Sequence, residues 1–387
     1  MNTTHHSSEN VKDFTISVNG TASGTLFLNH TADSNNITIK VDYSNYDENL
    51  RTQVKVKEVS GDHYKFEMET PPFASFGGFF GSNVVGKNSI IIVAHVPNKD
   101  YENVKLSTHN MAIEMDNNEK YPLSVNNLTM ETHNGKVNFM GVDAKNSLKI
   151  TAKNGATHFG NIKSKIFEFV GHNGHFGIQN STFSENLYLS NSNGALKLSQ
   201  IFSPLSKIDT HNGHVEINEA KFNESNIFSK NGRIILSNST IANSKLETHN
   251  GKLVLEKNIF ENLKAQSHNG GVTGSIEVKD SLVVDTDNGE ICFKPLRLVE
   301  KVEKCQISIS SSNGRSDIDL ENFNGRFELY GGSNSSIYGR DVFINASEEQ
   351  HKRRHTIKTG EVKNTLFNEN QTFKISAKNG GIKINNL

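Results

Sequence analysis

Histidine recurs at one position of a repeated pattern, and this arrangement is the first candidate for chemistry in the chain. Six histidines each stand directly before an asparagine or its equivalent: His109, His133, His172, His211, His249 and His268. If these positions stack, the pairs His109/His133 and His249/His268 lie within about 5 Å. Two imidazoles that lack a fixed third ligand make a poor Zn²⁺ or Cu²⁺ site. We therefore predict no metal site, but an outward histidine column that makes stability sensitive to pH near about 6 to 7, because stacked imidazolium ions repel one another.

Two groups of acidic residues raise the question of polysaccharide chemistry. The groups are Asp285, Asp287 and Glu290, and then Asp317, Asp319 and Glu321. Paired carboxylates hydrolyse glycosidic bonds, and carboxylate clusters bind Ca²⁺. Most of these acids are expected to project outward from alternating strands, with no Lys or Arg in register with both groups. Because no nucleotide-binding loop, nucleophile elbow or CxxC pair is present either, we predict a protein that is not an enzyme and binds no cofactor.

A Gly-rich stretch, residues 71–87 (PPFASFGGFFGSNVVGK), concentrates four aromatic rings. They belong to Phe73, Phe76, Phe79 and Phe80. Exposed, these rings would form an adhesive patch for a partner. Folded back, they would plug an open end of a protein core, which is the favoured alternative because each ring buries a large apolar area.

The elements that must position these residues follow from an Asn-Gly pair that recurs every 19 or 20 residues. The pairs begin at Asn134, Asn154, Asn173, Asn193, Asn212, Asn231, Asn250, Asn269 and Asn288. A fixed period of this length is typical of a solenoid, in which one supersecondary unit stacks on copies of itself. The nine asparagines are therefore predicted to be structural corners.

Apolar residues within each repeat alternate on both sides of the Asn-Gly pair. Positions four before, three after and five after the asparagine are mostly apolar, as in Ile208, Val215 and Ile217, and the position two before it is small or short and polar. This period of two indicates strands with one buried face. Antiparallel hairpins are the alternative, but they do not require equivalent residues to recur every 19 residues. We predict an all-β fold, a parallel β-solenoid (single-stranded β-helix) with coils of about 19 residues.

The repeat also predicts the organisation of the chain. Residues 1–10 are expected to be a disordered tail, and residues 11–103 a β-rich N-terminal cap that covers an open end. Residues 104–296 form the regular solenoid. Residues 297–387 form irregular C-terminal coils with an inserted loop near residues 340–360.

Composition narrows the possible partners. The net charge of −1 and the pI of about 7.0 offer no electrostatic basis for binding nucleic acid. No apolar run reaches the roughly 18 residues of a transmembrane helix. Neither a leader nor an anchor pattern is visible, and two cysteines, Cys292 and Cys305, fit an oxidising or a reducing compartment, so the compartment stays open.

Residues 246–253 (LETHNGKL) and 208–215 (IDTHNGHV) carry a T-x-N-G-x-I/V-like motif, and residues 89–98 (SIIIVAHVPN) form an apolar strand before the first repeat. Over a little more than half of its length, the chain resembles the adhesin-like β-strand-repeat family, uncharacterised proteins of bacteria and fungi. The resemblance implies a β-solenoid and an adhesive surface role.

These observations favour an interaction protein whose repetitive surface makes weak, multivalent contacts with cell-wall glycan or another protein. The first alternative is an intracellular structural protein that self-associates end to end through strand edges. A polysaccharide-active β-helix enzyme is the third.

Overall fold

The computed structural model describes residues 2–7, 10–31, 35–46, 51, 53–59, 61–71, 89–115, 122–299, 304–339, 346–352, 355–362 and 371–385. The regular elements of these residues are β-strands, and they group into two compact units, Met1–Gly194 and Ala195–Leu387. Each unit stacks strands in parallel, so the predicted all-β parallel β-solenoid is confirmed. Within the described ranges, no helix is long and apolar enough to cross a membrane.

The first unit holds the strands that precede and enter the regular repeats. They are β1 Asn2–Ser7, β2 Asp13–Asn19, β3 Ser23–Thr31, β4 Asn36–Asp42, β5 Lys55–Val59, β6 His63–Glu69, β7 Ser89–Pro97, β8 Tyr101–Thr108, β9 Met111–Met115, β10 Leu123–Thr132, β11 Val137–Ala152, β12 Thr157–Gly171 and β13 Phe176–Asn191.

Equivalent apolar residues of β10 to β13 lie above one another. Met130 pairs with Ile150, Ile150 with Phe169, and Phe169 with Leu189, and all four side chains are buried. Burial of each such side chain stabilises the fold by about 1.5–3 kcal/mol. Parallel pairing in this register places one repeat on the next and forms a continuous core.

The coils at the start of the first unit do not follow chain order. Strand β2 pairs in parallel with both β6 and β8, while β3 pairs in parallel with both β7 and β9. The coil of β2 and β3 therefore lies between the coil of β6 and β7 and that of β8 and β9. Antiparallel strands extend this end, with β5 on β6, β4 on β7, and β1 on β4.

One sequence prediction is wrong at the N-terminus, since residues 2–7 form strand β1 rather than part of a disordered tail. Backbone N–H and C=O groups make the ladder with β4, so polar side chains do not prevent this pairing. The stretch predicted as a cap contains both parallel coil strands and antiparallel strands. Phe73, Phe76, Phe79 and Phe80 lie outside the described residues.

The second unit holds the remaining strands. They are β14 Leu196–Thr210, β15 Val215–Asn218, β16 Lys221–Ser229, β17 Ile234–Ser237, β18 Thr240–Thr248, β19 Leu253–Ser267, β20 Val272–Thr286, β21 Ile291–Leu298, β22 Cys305–Ser311, β23 Ser316–Glu321, β24 Gly325–Gly331, β25 Ile337–Tyr338, β26 Ala346–Lys352, β27 His355–Val362, β28 Gln371–Ala377 and β29 Ile382–Asn385.

The second unit repeats the same parallel register and also ends out of chain order. Strand β28 pairs in parallel with β22 on one side and β24 on the other, and β29 pairs with β23 and β25. The last described coil is therefore inserted between two earlier ones. Strand β27 pairs antiparallel with β24 and with β26.

The prediction of an inserted loop near residues 340–360 is wrong for residues 346–352 and 355–362, which form the antiparallel pair of strands β26 and β27. The edge of β24 supplies seven backbone pairings to β27, from Gly325 with Val362 to Gly331 with Thr356. These hydrogen bonds give the insertion regular structure although it lacks the Asn-Gly period.

Candidate interaction surface

A hydroxyl group closes most corners of the second unit. In the second unit, the Thr248 hydroxyl accepts a hydrogen bond from the Gly251 N–H at 3.0 Å. It donates another to the Gly232 carbonyl oxygen of the preceding coil at 3.2 Å. Ser229 and Ser267 repeat both contacts one coil earlier and one coil later. Where the residue two places before the asparagine carries a hydroxyl group, as at these three corners, it therefore joins its own turn to the coil before it.

Glycine is required at the corner because successive backbones approach closely. A Cβ atom placed on Gly251 would lie 2.0 Å from the Gly232 carbonyl oxygen, and one on Gly270 would lie 1.8 Å from the Gly251 carbonyl oxygen. Real Cβ atoms do not tolerate such distances from backbone atoms, so only glycine permits this coil spacing.

The asparagine side chains form a hydrogen-bonded ladder along the corner. In the second unit, Asn250 Nδ2 donates to Asn231 Oδ1, and Asn269 Nδ2 donates to Asn250 Oδ1, each at 2.7 Å. The first unit has the same ladder, in which Asn134 donates to Asn110 and Asn154 donates to Asn134. In the first unit the bonds continue to Asn173 and Asn193. In the second unit they begin at Asn212, which accepts from Asn231, and continue through Asn288 to Asn313 and Asn379. Threonine, asparagine and glycine of the motif thus all have structural roles.

The residue directly before each asparagine is not needed by these corner contacts. We call these residues the corner column: His109, His133, Lys153, His172 and Ser192 in the first unit, and His211, Lys230, His249, His268 and Asp287 in the second. Most of the column is exposed, including His109, His172, His211, His249 and His268.

The structure brings the first histidine pair together. The His109 and His133 rings are stacked, with centroids 4.7 Å apart and planes 20° apart. His133 Nδ1 lies 3.0 Å from the Asn134 amide oxygen.

In the second unit, the corner column borders an open recess of about 310 Å³ on three successive coils. We call it the corner recess, and it is lined by Glu247, Thr248, His249, Gln266, Ser267, His268, Asp285, Thr286 and Asp287. His268 Nδ1 contacts the Asp287 carboxylate, and the Phe228 ring stands edge-on to His249 at 5.7 Å. The lining offers carboxylate, amide and imidazole groups that suit a hydroxylated ligand.

Metal chemistry receives no support from this geometry. The described parts of the chain contain no group of three or more His, Cys, Asp or Glu side chains placed to hold a metal ion. The second histidine pair, His249 and His268, lines the recess beside carboxylates but does not form such a group.

The two acidic groups of the sequence have different surroundings. Asp285 and Asp287 line the corner recess, whereas Asp317 is buried and accepts a hydrogen bond from Lys294 Nζ at 2.9 Å. Glu321 accepts two hydrogen bonds from the Arg297 guanidinium, at 2.8 and 3.0 Å. Pairing with cations leaves Asp317 and Glu321 poorly suited to act as a free general base.

Sequence reasoning missed a second corner in the coils. Seven places after the corner asparagine, the backbone has positive φ in successive repeats, at Gly141, Asn161, Asn180, Gln200, Glu219, Asn238 and Lys257. Asparagine and glycine tolerate this conformation, and four of these seven positions carry one of them. This enrichment in asparagine and glycine is the sequence signal that indicates the second corner.

The comparisons with known proteins identify the family. The model of Toastrack DUF4097 matches residues 15–199 and 167–330, which together span more than half of the chain. The chain belongs to the Toastrack DUF4097 family. A crystal structure of a candidate cell adhesion protein from Clostridium sporogenes is similar to this Toastrack protein over 99% of this chain and 97% of that chain, with 8% identity and a TM-score of 0.19. No curated protein matches the chain.

Proposed function

We propose that this Toastrack protein is a non-enzymatic, adhesin-like interaction protein whose corner column binds cell-wall glycan through many weak contacts. The observation that carries the proposal is the exposed column itself, which presents imidazole, ammonium and carboxylate groups once per coil. A polymer with its own repeat meets several equivalent groups in succession, so that avidity replaces a single strong site.

The corner recess supports the glycan over a protein partner. Its lining is polar, and hydroxyl groups of a sugar can both donate to Asp285 or Asp287 and accept from Gln266. A typical protein interface has an apolar core with aromatic residues. Among the residues that the structure describes, the two imidazoles are the aromatic side chains that line this recess.

End-to-end self-association is the second candidate, and the ends of the units give it less support. Strand β5 in the first unit lies on the edge of β6 and carries exposed Lys55 and Lys57. Lysine on an edge strand opposes pairing with another chain.

Binding of cell-wall polysaccharide to the full chain tests the proposed function. We expect the dissociation constant to fall as the glycan is lengthened, and the double variant His249→Ala/His268→Ala to weaken binding to the long polymer about tenfold, the effect of losing about 1.4 kcal/mol. The matched control is His158→Ala, an exposed histidine outside the column.

Three results would overturn the proposal. They are the absence of binding to any wall polysaccharide, an affinity independent of glycan length, and equal binding by the double variant and the control. Sedimentation that depends on concentration, with no glycan binding, would instead favour the self-associating structural protein.

A further inference from the structure

A separate polar cluster lies on the outward face of the second unit, away from the corner column. Parallel pairing aligns Cys292 with Asp317, Asp317 with Lys383, and Lys383 with Tyr338. Four side chains from four strands therefore meet in one row across β21, β23, β29 and β25. We call this row, together with Lys294 and Arg315, the Asp317 cluster.

The centre of the cluster is a buried carboxylate whose two oxygens differ. Asp317 is only 6% exposed. Its Oδ2 accepts hydrogen bonds from Lys294 Nζ at 2.9 Å and from the Arg315 guanidinium at 3.3 Å. Its Oδ1 accepts no hydrogen bond from the described residues, and Lys383 Nζ stands 3.9 Å away from it. Buried carboxylate oxygens in native structures usually accept a hydrogen bond, so we expect a donor group to bind beside Asp317 Oδ1.

The cluster also carries a surplus of positive charge. Among the described residues, Lys294, Arg315 and Lys383 surround the Asp317 carboxylate, and Glu290 lies near the adjacent Cys292 thiol, so three cations face two carboxylates. Lys383 is the cation held most loosely, because its ion pair is the longest of the three. Its ammonium group has donors to offer an anion.

An aromatic ring completes the cluster. Tyr338 lies next to Lys383 in the row, and the Arg315 guanidinium lies 5.6 Å from the centre of its ring. This contact fixes the guanidinium beside Asp317 and limits the freedom of both side chains. The site is thus partly organised before any ligand arrives.

We propose that the Asp317 cluster binds an acidic sugar, of the uronic acid class. The sugar carboxylate pairs with Lys383 and Arg315, and a neighbouring hydroxyl donates to Asp317 Oδ1. A neutral sugar satisfies the carboxylate oxygen but leaves the surplus cation unpaired, whereas a simple anion pairs with the cation but offers no donor. Only a ligand that carries both a carboxylate and a hydroxyl group pairs with the surplus cation and also donates to the Asp317 oxygen. The site does not depend on the corner column.

Calorimetric titration of the full chain with a short oligogalacturonate, and with a cello-oligosaccharide of the same length, tests the assignment. We expect the acidic oligosaccharide to bind and the neutral one to bind at least about tenfold more weakly. Lys383→Ala is expected to weaken oligogalacturonate binding about tenfold, because it removes the loosely held cation. Lys374→Ala is the matched control, since Lys374 forms an exposed ion pair with Glu328 in the same unit.

Asp317→Asn removes the negative charge and replaces one carboxylate oxygen with an NH2 group, which leaves Lys294 and Arg315 without their anionic partner, so this variant requires a thermal melt beside the titration. Lys383→Ala keeps the assignment falsifiable if Asp317→Asn fails to fold, because the Lys383 side chain is one-third exposed. Alkylation of Cys292 gives a second readout, since its row neighbour is Asp317 and Cys305 is buried. Bound oligogalacturonate is expected to slow this alkylation.

The assignment is overturned if the wild type does not bind oligogalacturonate, if the neutral oligosaccharide binds equally well, or if Lys383→Ala binds like Lys374→Ala. The corner-column variant His249→Ala/His268→Ala distinguishes the two proposals. Loss of long-polymer binding in that variant, with unchanged binding of the short oligogalacturonate, fits two independent surfaces.

Discussion

Replacement of Thr248 by valine tests the account of the corner, because it removes the hydroxyl group but keeps the shape of the side chain. The Thr248 side chain is 1% exposed, so its partners have no ready access to water. Valine leaves the Gly251 N–H and the Gly232 carbonyl oxygen without the bonds of 3.0 and 3.2 Å. Each unsatisfied buried group costs about 1–3 kcal/mol, so for these two groups we expect a total loss of about 2–6 kcal/mol.

Urea unfolding followed by far-ultraviolet circular dichroism measures this loss. With a slope of about 2–3 kcal/mol per molar, the midpoint is expected to fall by about 1–3 M. Thr240→Val is the matched control, because Thr240 is an exposed residue of the same strand, β18. We expect this control to change the free energy of unfolding by less than about 0.5 kcal/mol.

Thr248→Ser provides a second comparison, because serine keeps the hydroxyl group and occupies the equivalent place at Ser229 and Ser267. It is expected to cost about 0.8 kcal/mol, the value of the lost methyl group. Equal midpoints for Thr248→Val and Thr240→Val would refute the role of the hydroxyl, as would a serine variant as unstable as the valine variant.

Three further outcomes follow from the same structure. Gly251→Ala is expected to lower the free energy of unfolding by at least about 1–3 kcal/mol in the same urea assay, because the added Cβ meets the Gly232 carbonyl oxygen at 2.0 Å. An unchanged free energy of unfolding would contradict the close approach of these two backbones. The hydrogen bond from Lys145 lowers the pKa of Asp100 below 3.8 in the folded chain. This pair therefore stabilises the fold above that pH, and its contribution is lost as the pH falls through the lowered pKa. Asp100→Asn should flatten that part of the curve of stability against pH, and an unchanged curve would argue against the pair. Burial raises the pKa of the Cys305 thiol to about 12. At pH 8 a maleimide is therefore expected to label Cys292 in the native chain and both thiols in urea. Rapid labelling of Cys305 in the native chain would contradict its burial.

The period and the buried columns were predictable from the sequence because each depends on residues close together in the chain. Ile208 and Val215 show their alternation within a single repeat, and Asn212 marks the corner between them. The stacking of His109 on His133 also follows from the coil register, since consecutive corners are one strand spacing apart.

The coil order was not predictable, because pairing of β2 with β6 or of β28 with β24 joins strands that have no common sequence signal. The Asp317 cluster was hidden for a similar reason. In the sequence, Asp317 alternates outward like any solvated acid. Only the structure shows that Lys294 and Arg315 form ion pairs with its carboxylate. Strand β1 was missed because its partner, β4, supplies backbone hydrogen bonds rather than an apolar surface.

The inserted position of β28 and β29 has a consequence for how the second unit forms during synthesis. Strand β24 leaves the ribosome before β28, yet its native parallel partner is β28. The coils up to β22 and β23 can stack one after another as they emerge. Strand β24, with β26 and β27, can join this stack only after residues 371–385 have emerged, because β28 lies between β22 and β24. This end of the unit therefore closes in one late step that joins β22, β28 and β24, and until that step the edge of β22 stays open to chaperones or to neighbouring nascent chains.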